Sequence, residues 1–209
     1  MKNTIRFLLS LLFYCLTGMG ISLTIVGGVG VSSFNAANVA LAAALQVSVG
    51  LVTVLVNLGF ALAYALLTRF RFPARYAVQV IALLCLGQVI NFFTYQVFAE
   101  LAPPSYLARL GLLVAGTLIG GFSTGMVLNL KSITFPVENT CVELSKLTGI
   151  AFAKFRYAVD IVSVVVSVAV SLIYKLPLVA REGTLLSLVL LTAAISTSRW
   201  GYQRLANGK

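Results

Sequence analysis

The chain of 209 residues holds only five acidic side chains, and two of them, Glu138 and Glu143, fall in the stretch FPVENTCVELSK (135–146). A third, Asp160, follows Arg156 by four positions, which on a helix puts the two on one face. Carboxylates set beside a guanidinium can bind a polar solute or pass a proton. They can equally form an ion pair that only ties helices together, and the spacing leaves both readings open. Histidine is absent, which removes the commonest general base and the commonest metal ligand. No catalytic residue, metal or cofactor is therefore assigned, and an enzyme is not expected.

The setting of these charges is apolar. Mean hydropathy is +1.02 and 10% of residues are charged, against about 25% in soluble domains. Runs of about 20 apolar residues suffice to cross a hydrocarbon core of about 30 Å. The sequence predicts an all-α polytopic membrane protein with spans near 7–26, 47–68, 76–98, 107–128, 151–174 and 183–200. They fill 1–209 as a single membrane domain. The basic start followed by an apolar run has the shape of a signal peptide, but the run continues through Ile25 without a small-residue cleavage pattern, so a retained first span is expected.

The net charge of +10 would suit nucleic acid, but its placement points elsewhere. With the N-terminus inside, twelve of fifteen basic residues fall on inner segments: Lys2, Arg6, Arg69, Arg71, Arg75, Lys131, Lys146, Lys154, Arg156, Arg199, Arg204 and Lys209. Arg109, Lys175 and Arg181 fall outside. This positive-inside bias predicts a multi-pass protein of a bacterial cytoplasmic membrane, with both termini cytoplasmic and the lipid bilayer as its first partner. No nucleic-acid partner is expected. Cys15, Cys85 and Cys141 are odd in number and lie in or near spans, which argues against structural disulfides.

An internal repeat relates the two halves. At an offset of 103, Gly18 faces Gly121, Asn35 faces Glu138, Leu41 faces Leu144, Thr53 faces Arg156 and Asn57 faces Asp160. Each half reads as a Gly-rich span, a polar break, a short helix and two further spans, about 5–98 and about 107–201. Three spans per unit is odd, so the second unit would enter the membrane from the opposite side. Inverted three-helix repeats with interrupted helices are a recurring plan of secondary transporters. The short helices, 34–46 and 136–147, are about 18–20 Å long and cannot span. Ser32 and Ser33 precede the first; Pro136 and Gly149 bracket the second. We expect re-entrant half-helices whose N-termini lie near mid-membrane.

Asn57 and Asp160 stand about ten residues into their spans, roughly 15 Å deep. Asn35, Asn57, Glu138 and Asp160 are thus expected to converge, with Arg156 among them. Asn38 and Asn139 of the half-helices, and Gln88 and Asn91 of the third span, complete the candidate solute-binding or proton-coupling set. Glu143 is expected at the periphery, in contact with Lys146. Glycines at 18, 20, 116, 120, 121 and 125 allow close helix approach; such faces would also permit a homodimer.

The segments GISLTIVGGVGVSSFNAANVAL and FPVENTCVELSKLTGIAFAKFRYAVD resemble the YczE/YitT-like family of bacterial integral membrane proteins. The second is similar to that family's Pro-x-acid, Gly and Arg-x3-Asp pattern. Phe34 and Asn35 stand where a Pro and an acid would be expected, leaving the first half-site uncharged. The resemblance implies transport. The expected function is a small secondary transporter for a small solute, with two half-helix N-termini favouring an anionic group. The alternatives are a substrate-binding component of a multi-subunit importer of the energy-coupling-factor kind, and a non-transporting scaffold or regulator.

Overall fold

The computed structural model describes residues 3–101 and 103–207. Lys2 and Lys209, counted with the inner charges, lie outside the described residues. Every regular element among those described is helical. In chain order they are α1 (Asn3–Gly27), α2 (Ser33–Leu45), α3 (Val49–Leu67), α4 (Pro73–Phe92, continued by a π-helical stretch Phe93–Val97), α5 (Tyr106–Leu130), α6 (Pro136–Thr148), α7 (Phe152–Ile173) and α8 (Glu182–Asn207). Helices α1, α3, α4 with its π-helical stretch, α5 and α7 are long and apolar enough to cross a membrane. This is the make-up of a helical membrane protein. Helix α8, at the expected sixth span, is as long, but its last third is polar and carries Arg199 and Arg204.

The two short helices have 13 residues each. Each follows five residues of irregular chain, 28–32 and 131–135. Gly28 and Lys131 open these segments in the left-handed region, at φ 65° and 56°. Gln46 and Gly149 close the short helices in the same way, at φ 55° and 73°.

Glycines set how closely the long helices pack. A Cβ on Gly20 would lie 2.6 Å from the carbonyl oxygen of Gly116, and one on Gly116 would lie 2.6 Å from that of Gly20. Gly27 meets Arg109 farther along, so α1 and α5 run antiparallel. Gly18 rests on Leu86 and Val89 while Ser22 donates to the Ile90 carbonyl at 3.1 Å, so α1 and α4 run parallel. Gly121 rests on Leu191 and Ala194, and Gly125 on Ile195 and Ser198, so α5 and α8 also run parallel. Gly50 and Gly87 bring α3 and α4 into contact, a pair that composition does not single out. Helix α2 packs on α7 and α3, and α6 on α3 and α7.

The first turn of α3 is capped by its neighbour. Asn91 Oδ1 accepts from the Gly50 N–H at 2.9 Å, and the Tyr95 hydroxyl accepts from the Val49 N–H at 3.2 Å. Ser48 adds its own cap to Leu51 at 3.4 Å. Asn91 is therefore a capping residue and not part of a cavity. Replacing it with Leu strands the Gly50 N–H, so Asn91→Leu is expected to destabilise by about 1–2 kcal/mol in thermal unfolding without changing solute binding.

The irregular segments are pinned as well. Phe135 stacks on the fully buried Tyr14 at 4.9 Å, and Gln79 donates to the Thr134 carbonyl at 3.3 Å. At the other end, the Gly183 N–H donates to the Val29 carbonyl at 3.0 Å.

Candidate functional site

Both short helices meet α3 at Phe60, α2 at its second residue and α6 one turn in; Phe60 stands 11 residues into α3, roughly 17 Å along it. Phe34 meets Phe60 edge to face at 6.0 Å, and Thr140 donates to the Phe60 carbonyl at 2.9 Å. Helix N-termini leave N–H groups without intrahelical partners and carry a partial positive charge. Two such ends therefore face one region from opposite halves of the sequence.

That region is a cavity of about 640 Å³, a volume usual for a small-molecule site. Asn35 lines it from the first turn of α2, Glu138 from that of α6, Asn57 from α3, and Arg156 and Asp160 from α7. All five residues expected to converge do so. Thr17 and Thr24 of α1 and Thr117 and Thr124 of α5 add hydroxyls to the opposite wall.

The charged groups form a chain. Arg156 Nη1 lies 2.8 Å from Asp160 Oδ1, and its Nε lies 3.7 Å from Glu138 Oε1. The shorter contact is an ion pair without the alignment of a hydrogen bond. The three side chains keep 27, 28 and 17% of their surface accessible, for Arg156, Glu138 and Asp160, so they face the cavity rather than sealed protein. Two carboxylates against one guanidinium leave one negative charge in surplus when all are ionised. Arg156 is thus committed within the protein, and a surplus carboxylate can take a proton or a cation. Asn57 Nδ2 donates to the Thr53 carbonyl at 2.8 Å, which fixes its side chain against the cavity wall.

Four candidates lie elsewhere. Asn38 is fully buried and lines a second, mostly apolar cavity of about 370 Å³ among α2, α3, α6 and α7. It touches the main site only by donating to Thr53 Oγ1 at 3.4 Å. Asn139 donates to Thr134 Oγ1 at 2.7 Å and steadies the segment before α6. Asn91 caps α3. Gln88 is exposed and lines neither cavity. The buried stripe of α4 runs through Gln79, Ala82, Leu83, Leu86, Gly87 and Ile90. Gln88 lies one residue, about 100°, beyond Gly87 and so points away. The i, i+3 spacing of Gln88 and Asn91 fixes their shared side but not which side faces the core.

Glu143 pairs with Lys146 at 3.1 Å on the surface, a peripheral contact as expected. Arg199 was assigned from the sequence to orientation alone, but it lines the cavity. The signal lay in α8 itself, where Leu188, Thr192, Ile195 and Arg199 recur at helical spacing on one face.

Comparison with protein families matches residues 4–199 to a family of unknown function, DUF6198, and that match carries no link to the YczE/YitT-like proteins. No curated protein and no solved structure matches the chain. The chain belongs to the family of unknown function DUF6198.

Proposed function

We propose that this protein is a small secondary transporter of the bacterial cytoplasmic membrane, with six crossings in two inverted three-helix units and its solute site between them. The observation that carries the reading is that residues 103 apart in sequence line one cavity: Asn35 with Glu138, Thr53 with Arg156, Asn57 with Asp160. A duplicated unit that met its copy face to face would bring such pairs together, and unrelated halves would not.

The helix packing supports the same reading. The pairs α1–α4 and α5–α8 correspond, as do α2–α7 and α6–α3, while α1 and α5 meet each other. Parallel α1–α4, parallel α5–α8 and antiparallel α1–α5 are the directions that inverted units require. Equivalent glycines do equivalent work: Gly18 rests on α4 as Gly121 rests on α8. In this reading α2 and α6 are re-entrant, their N-termini at mid-membrane and aimed at the solute. Half-helices of this kind hold substrates and coupling ions in transporters.

The test begins with thermal stabilisation of the purified protein against a panel of metabolites. A solute at a hundredfold excess over its Kd contributes about 2.7 kcal/mol, which for a chain of this size raises Tm by roughly 5–10 °C. The same solute should accumulate in proteoliposomes and should not stabilise Glu138→Gln. Stabilisation without accumulation would mark a capture subunit instead. No stabilising solute in a broad panel would leave the scaffold reading.

A further inference from the structure

Helices α7 and α8 make no extended contact with each other, although both line the cavity. Helix α7 packs on α2 and α6, and α8 packs on α5. Their counterparts α3 and α4 close through Gly50 and Gly87, whose backbones touch. Helix α7 holds no glycine, and α8 has none between Gly183 and Gly201. No glycine pair draws the two backbones together here, and no extended α7–α8 contact closes the cavity on this side.

The walls of the opening are graded. On α8, Leu188, Leu191 and Ile195 line the cavity, Leu191 where α8 rests on Gly121 of α5, and Arg199 lies farther along the same helix. On α7, Tyr157 faces it, 63% exposed. From Leu188 to Arg199 is about 16 Å at helical rise, half of a hydrocarbon core of about 30 Å and so the depth of one leaflet. Arg199 is exposed and has no carboxylate within 4 Å among the described residues. Glu138 and Asp160 are taken by Arg156, Glu143 by Lys146 and Glu182 by Arg181. Among the described residues the free cation of the cavity is therefore Arg199, and the α8 wall beyond it is mainly apolar for the depth of a leaflet, with Leu188, Leu191 and Ile195 interrupted by the hydroxyls of Thr192 and Ser196.

We propose that the solute is a single-chain anionic amphiphile that enters from the inner leaflet between α7 and α8, its head on Arg199 and its tail against Leu188, Leu191 and Ile195. This deepens the transport reading by naming the substrate class. An open side within the bilayer suits a ligand that already resides there, and a free soluble anion would have no use for the apolar wall.

The probe is a photoactivatable 16-carbon fatty acid, added to the full-length protein in nanodiscs, with crosslinked peptides mapped by mass spectrometry. Labelling is expected to concentrate on 188–199 and 152–161 and to fall at least about tenfold in Arg199→Gln, equivalent to about 1.4 kcal/mol. Arg199→Lys should retain most of it, Thr192→Trp should block the opening, and Arg75→Gln, whose side chain lies over Phe72, should change nothing. Unlabelled palmitate should compete, and acetate should not. Labelling spread over the outer faces of α3 and α4 and indifferent to Arg199→Gln and Thr192→Trp would overturn the proposal. So would equal competition by acetate, or equal labelling by a cationic amphiphile of the same chain length. Labelling reports binding whether or not solute moves, so its failure and a failure of transport are read separately.

Discussion

Asp160→Asn is expected to reduce solute uptake in proteoliposomes by at least about a hundredfold, while Tm moves by only a few degrees. The substitution keeps the shape of the side chain and removes one of two carboxylates around Arg156. With all groups ionised, the cluster changes from one negative charge in surplus to none. Whatever the surplus holds during the cycle, a proton or a cation, is then no longer held. A hundredfold change corresponds to about 2.7 kcal/mol, well within what a single intramembrane charge is worth.

The stability cost is smaller for a physical reason. The three side chains face the cavity, so solvent there screens the pair and discounts the several kcal/mol of a sealed ion pair to about 1–2 kcal/mol. Glu138→Gln should behave similarly in uptake. The double variant Glu138→Gln with Asp160→Asn leaves Arg156 with no carboxylate, and its loss of stability should exceed the sum of the single losses by about 0.5–3 kcal/mol. A purely structural cluster predicts the reverse ranking, a large loss of Tm with uptake intact. Normal transport by both single variants would end the assignment of these residues to the solute or proton path.

Gly20→Leu is expected to yield no folded protein. A Cβ at Gly20 would lie 2.6 Å from Gly116 O, 2.7 Å from Gly120 N and 2.9 Å from Gly120 Cα. All three are backbone atoms of α5 and cannot turn aside as a side chain can. Helices α1 and α5 would have to separate along their whole crossing, losing the most extensive contact between the two halves. Overpacking a core costs about 1–3 kcal/mol where side chains can adjust; here the cost lies above that range. Even Gly20→Ala should lower Tm clearly, since the clash begins at Cβ. Gly59→Ala and Gly111→Ala provide the contrast. Nothing lies within 4 Å of a Cβ at either position, and each should be neutral or gain about 0.5–1 kcal/mol from the better helix former. Monodispersity on size exclusion and Tm, measured across the four variants, check this. A stable Gly20→Leu would mean that α1 and α5 do not cross there.

The sequence by itself carried the helical class, the long apolar helices and the two short ones. Those features depend on local composition and on spacing along the chain, which are read one residue at a time. Asn35, Asn57, Glu138, Arg156 and Asp160 could be named as cavity residues from their places in the short helices and apolar runs, and they line it. Rotation about each helix axis was not legible. Gln88 and Asn91 share a side of α4, yet the approach of Gly87 to Gly50 turns Gln88 outward and leaves Asn91 as a cap. Arg199 looked like any inner-face charge until the packing of α8 on α5 placed it in the cavity. Only the tertiary structure decided that Arg156 is already held by two carboxylates, and that α3 and α4 close while α7 and α8 do not. Both depend on contacts between separate helices, where backbone approach is set by which glycine meets which, and spacing along one helix cannot specify its partner.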